Sequence, residues 1–220
     1  MIKQIWKRLT ILVAPKKQLN LTEYWRDRAR QYGKRSVLNL AHSEEEFDKM
    51  TDYQKQFLFP LLKSELNGTE STVLDFGCGP GRFTPGLAKL INGTATGVDI
   101  SPELLEHAPK SSSVTYQVIG AGGTLPFYDS SFDVVWSCLV LGTIPDEQIE
   151  QSIAEIKRVL RPGGLFFYVE NTANEANLPY FTFRDQDSYI RLAQFCQPKI
   201  IDCYSDVEQQ ITIFSGRKWA

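Results

Sequence analysis

Val73-Leu74-Asp75-Phe76-Gly77-Cys78-Gly79-Pro80-Gly81-Arg82-Phe83-Thr84 reads as a short apolar strand, a turn carrying three glycines and the start of a helix. Glycines at alternate positions permit φ > 0 in the turn and remove side chains where a ligand must approach backbone. The helix that follows aims its free N–H groups into the same space. Eighteen residues past Gly81, the next strand, Thr94–Val98, ends at Asp99. A carboxylate at that strand tip suits a ribose diol, as in nucleotide-binding βαβ units.

A dinucleotide fingerprint would be G-x-G-x-x-G/A. Counted from Gly77 its third small residue falls on Arg82, and counted from Gly79 it falls on Thr84, so a pyrophosphate cofactor is disfavoured. Asp75 suits a cationic ligand better than a phosphate by charge complementarity. A ligand joining a ribose to a positive amino-acid end is S-adenosylmethionine.

Val73–Thr84 resembles the first motif of the class I S-adenosylmethionine-dependent methyltransferases, with Asp99 where their ribose-binding acid sits. Leu125-Pro126-Phe127-Tyr128-Asp129-Ser130-Ser131-Phe132-Asp133-Val134-Val135 and Leu160-Arg161-Pro162-Gly163-Gly164 resemble two further signatures of that family. The likeness is strongest to its small-molecule, methyltransferase type 11-like branch. It covers roughly Ser71 to Asn171, with the stretches in the family's order.

The chain's 220 residues suit one domain with an added cap. A charged fraction of 23% and a net charge of -2 are those of an ordinary soluble protein, and nothing overall steers it to nucleic acid. Cys78, Cys138, Cys196 and Cys203 have no metal-ligand spacing, which predicts reduced thiols, a cytoplasmic location and no metal. No apolar run approaches the ~20 residues of a membrane span.

Residues 1–17 are basic and amphipathic, with Ile2, Ile5, Trp6, Leu9, Leu12 and Val13 at helical spacing. A helix packed on the domain or a partner subunit is the first reading; peripheral contact with a membrane surface and a frayed terminus are the others. Leu21–Ala41 mixes aromatic residues with arginines. Ser43 and Glu46 form a capping box opening a helix whose apolar face is Phe47, Met50, Tyr53, Phe57 and Leu61, with Pro60 expected to kink or end it. His42, just before the cap, is a candidate general base reaching in from a lid, or an ordinary loop histidine.

From Ser71 to Asn171 strands alternate with helices, which predicts a parallel sheet with helices on both faces. Strands are expected at 72–76, 94–98, 114–119, 132–138 and 165–170, and helices at 82–91, 102–107 and 146–160. The polar and aromatic stretch 171–184 reads as a loop and 185–195 as a helix. Two more strands follow at 200–204 and 211–215. By the resemblance these close the sheet as an antiparallel hairpin. The fold class is then α/β: a Rossmann-like, doubly wound, seven-stranded and mostly parallel sheet.

The resemblance implies an enzyme that transfers the methyl group of S-adenosylmethionine to the oxygen, nitrogen or carboxyl of a small molecule. It implies a lid in 1–65 and the catalytic domain in 66–220. Position by position, Asp75 would fix the loop or the cofactor's amino group, although its residue type also suits a plain loop cap. Gly77, Gly79 and Gly81 would admit the methionine and ribose. Asp99 would take the ribose hydroxyls and Ile100 would pack on the adenine. Thr124 and Leu125 would lie along the adenine edge, and Ser137 and Leu139 would face the sulfur. Tyr24 is the lid residue placed nearest the cofactor, with Tyr32 second. Two departures stand out. Ala121, Gly122 and Gly123 occupy the positions where relatives carry an acid for the adenine amine, and Thr143 replaces a histidine in a Leu-x-His-Ile-Pro pattern. A non-catalytic binding or scaffold protein of the same fold is the alternative those departures leave open.

Overall fold

Strand β1 (Thr72–Phe76) sits mid-sheet, parallel to β2 (Thr94–Asp99) on one side and to β4 (Phe132–Cys138) on the other. This computed structural model describes residues 20–38, 43, 45–173, 181–206 and 209–219. The expected helix over 1–17, His42 and most of the loop after residue 173 lie outside them.

With β3 (Val114–Val118), β5 (Leu160–Asn171), β6 (Lys199–Asp206) and β7 (Gln209–Arg217) the sheet reads β3-β2-β1-β4-β5-β7-β6. Strands β1 to β5 run parallel, and β7 is antiparallel to both β5 and β6. The expected α/β class, strand number and terminal hairpin are those observed. The order reverses between β1 and β4, so the ligand-binding crevice of such a sheet falls beyond the carboxyl ends of these two strands.

Helices cover both faces. On one lie α5 (Asp146–Val159) and α6 (Gln186–Leu192), which bury Ile149, Ile153, Ile156 and Tyr189 against Val135, Phe166 and Phe214. On the other lie α2 (Glu46–Glu65) and α3 (Thr84–Leu90), with Leu58, Leu62 and Leu87 fully buried against Val73, Trp136 and Phe167. Each such leucine contributes roughly 1.5–3 kcal/mol of burial. Helix α1 (Leu21–Tyr32), capped by the Asn20 side chain, docks on the short α4 (Pro102–Leu105). There Glu103 pairs with Arg26 at 2.9 Å and Arg30 at 2.7 Å.

Helix α2 differs from its expected form in two ways. Pro60 does not end it: the helix runs on to Glu65, and the proline is exposed. The buried face is Phe47, Thr51, Gln54, Leu58 and Leu62, rotated from the expected stripe, and Tyr53 is 56% exposed. The reason is polar. Gln54 and Thr51 accept hydrogen bonds from the half-buried guanidinium of Arg82, at 2.9 and 3.5 Å. Glu46 does reach back to the Ser43 N–H, at 2.6 Å.

Candidate functional site

A cleft with about 1050 Å³ of empty space, its open mouth included, lies over the carboxyl ends of β1, β2 and β4. Its floor is the glycine turn. Gly77, Gly79 and Gly81 have φ of 72°, 55° and 71°. A side chain there would also collide with protein: at Gly77 with Val140, at Gly81 with the Tyr116 hydroxyl 2.7 Å away. The turn is bare because of backbone conformation and close packing, and the bare backbone is what the cleft then presents.

Asp99 ties the turn to the second strand. One carboxylate oxygen accepts the Gly79 N–H at 2.8 Å, the other the Ser101 N–H at 2.8 Å. Ser101 caps α4, with its hydroxyl accepting the Leu104 N–H. Each carboxylate oxygen keeps a further lone pair for a ligand hydroxyl. Asp75 accepts a 2.6 Å hydrogen bond from the Thr84 hydroxyl at the start of α3. Burial raises Asp75 to about 7, against the pull of Thr84 and the nearby Arg82 cation. Burial likewise raises Asp99 to about 6, against its amide bonds from Ser101 and Gly79.

The wall beyond β4 is held from below. Glu170, fully buried on β5, accepts backbone N–H groups of Val140, Leu141 and Gly142 at 3.1, 2.8 and 3.0 Å. Arg184 donates to the Leu141 and Ile144 carbonyls, both at 2.8 Å. These bonds fix a sharp turn in which Leu139 has φ 59° and lines the cleft with Val140 and Thr143.

Asp75, Gly77, Gly79, Asp99, Ile100, Leu125 and Leu139 all line this one cleft. Gly81 belongs to the same turn. Three expected residues lie elsewhere. Thr124 is exposed and outside the lining. Ser137 is wholly buried, its hydroxyl without a partner among the described residues, because the strand alternates and points it away from the cleft that Cys138 lines. From the lid, Leu21, Trp25 and Val37 reach the cleft, whereas the Tyr24 hydroxyl accepts from Arg28 at 3.4 Å. Sequence reasoning missed Trp25, Arg82, Gln148, Ser152 and Glu155 as cleft residues. The last three sit at i, i+4 and i+7 on α5, a signal visible only once that helix face is known to meet the cleft.

Residues 73–164 match the family model described as "Methyltransferase domain". Over these residues the chain is similar to a methyltransferase domain. The malonyl-[acyl-carrier protein] O-methyltransferase of Erwinia pyrifoliae is 28% identical over 71% of this chain and 59% of that one. The demethylmenaquinone methyltransferase of Staphylococcus haemolyticus is 34% identical over 50% of this chain and 47% of its own length. The chain therefore spans about half the length of the curated relatives it matches. A solved phosphoethanolamine N-methyltransferase of Haemonchus contortus, in complex with S-adenosyl-L-methionine, superposes with a TM-score of 0.63. It is 16% identical, with 89% of this chain and 60% of that chain covered, a likeness of fold.

Proposed function

We propose that the protein is an S-adenosylmethionine-dependent methyltransferase acting on a small molecule, in the cytoplasm. The observation that carries this reading is the Asp99 carboxylate, lining the cleft while bonded to the glycine turn. Bound cofactor would supply an electrophilic methyl group on a sulfonium. Asp99 would hold its ribose diol, Asp75 and Arg82 would flank its amino-acid end, and Ile100, Ile119 and Leu125 would enclose the adenine. The named substrates of the relatives support an acceptor of small size, or one tethered to a carrier.

The chain's contribution to the reaction is alignment and exclusion of water. Among the described residues no histidine lines the cleft, and the Thr143 hydroxyl donates to the Val140 carbonyl at 2.7 Å. An acceptor that is already a nucleophile at neutral pH, such as a carboxylate, fits that arrangement; His42 stays our candidate base for an acceptor that must lose a proton. Within 1–65 we assign the lid role to residues 21–37. The domain proposed for 66–220 takes α2 as part of its helical layer.

Methyl-tritiated S-adenosylmethionine with a panel of carboxylate, amine and phenol acceptors tests the reading. Label transfer above the protein-free control supports it. Cofactor binding with no transfer to any acceptor favours instead a binding protein of the same fold, the second reading that the missing base motivates.

A further inference from the structure

Gln148 is a polar residue on the cleft wall. Its Oε1 is shielded from solvent and, among the described residues, accepts no hydrogen bond. Carboxamide oxygens left dry in a protein interior are rare and costly. The oxygen lies where the chain bends at Gly122: a Cβ on that glycine would stand 3.0 Å from it. Gly122 itself has φ 64°.

Its neighbours on the same helix face are occupied. The Ser152 hydroxyl donates to the Gln148 backbone carbonyl at 3.1 Å. Glu155 accepts the Leu125 N–H at 2.7 Å and is clamped by Arg158 at 2.7 and 2.8 Å. Gln148 is therefore the member of this stripe whose side-chain oxygen makes no hydrogen bond among the described residues. The facing segment, Gly120 to Gly123, has no side chain larger than a methyl to offer.

We infer that Gln148 reads the exocyclic amine of the adenine, with its Oε1 accepting the amine N–H. This rests on the proposed cofactor, and it assigns to α5 the recognition that an acid after β3 would otherwise perform. The amide N–H₂ on the same side chain is then free to donate to a ring nitrogen. A carboxamide here recognises adenine without adding another carboxylate to a cleft that already buries Asp75, Asp99 and Glu155.

The test is a cycle pairing Gln148→Leu with removal of the ligand's amine. Isothermal titration compares S-adenosylhomocysteine with its purine analogue lacking the 6-amino group, on wild type, Gln148→Leu and Gln148→Glu. Wild type should prefer the amine by roughly fivefold to tenfold, the range of one net hydrogen bond. Gln148→Leu should bind both ligands alike, and no more tightly than wild type binds the analogue. Gln148→Glu, an acceptor without a donor, should keep the preference. Circular dichroism melting establishes that each variant is folded. An amine preference that persists undiminished in folded Gln148→Leu overturns the inference, as does a wild type with no preference. A wild type that binds neither ligand instead overturns the cofactor reading beneath it.

Discussion

The carboxylate of Asp99 accepts the backbone N–H of Gly79 across 2.8 Å, joining the tip of β2 to the turn that leaves β1. The two elements that would grip a nucleoside thus hold each other before any ligand arrives. The turn's amides Gly77 and Cys78 add bonds to the Val98 carbonyl, both at 2.9 Å. Such a preformed cradle lowers the ordering cost of binding.

That cradle depends on the backbone conformation of Gly77. Its φ of 72° and the Val140 side chain beside it both oppose a methyl group. Gly77→Ala should lose about 1–3 kcal/mol, lowering Tm by several degrees in a thermal melt. Gly120→Ala is the control, since a Cβ there meets nothing within 4 Å. Its Tm should stay within roughly 1 °C of wild type.

The buried carboxyls make binding pH-dependent. Asp75 at about 7 and Asp99 at about 6 lie above their ordinary value of 3.8. The folded form thus holds these protons longer. The stability the two groups contribute is present in full below about pH 4 and is lost as pH rises through 6 to 7. A ligand ammonium beside Asp75 favours its charged form, so binding releases a proton. Affinity for S-adenosylhomocysteine should rise roughly tenfold between pH 5.5 and 8, followed by titration calorimetry. In Arg82→Met, which removes the cation that holds Asp75 down, the midpoint should move to higher pH.

Glu170→Gln should weaken the wall beyond β4. Glutamine has one acceptor oxygen for the three amides of Val140, Leu141 and Gly142 that the carboxylate now serves. Burial raises Glu170 to about 7, against those same amide bonds. At pH 8 the variant should therefore lose about 1–3 kcal/mol, seen as a lower Tm. At pH 6, where the native carboxyl is itself protonated, the gap should narrow.

The parallel core was readable because each strand is a β-branched or aromatic run closed by a turn signal, and Val73–Thr84 places the crevice on the first of them. The charged tip at Asp99 was readable for the same reason. What the sequence hid were pairings between distant segments. Thr51 and Gln54 look like solvent positions until Arg82 arrives to bond them. Glu170 looks like the exposed end of a strand until the turn after β4 folds over it. Trp25 and Tyr24 are adjacent, and only the docking of α1 through Arg26 and Glu103 decides which one meets the cleft. Gln148 carries no local signal at all, since its meaning comes from its nearness to Gly122.

Calorimetric titration of S-adenosylhomocysteine into the wild-type protein at pH 7.5, repeated with Asp99→Asn, tests the central claim most directly. The account predicts one saturable site on the wild type, weakened roughly tenfold to a hundredfold by the substitution, the worth of a charged hydrogen bond. A wild type that shows no saturable heat at millimolar ligand, or a variant that binds as tightly as wild type, contradicts it.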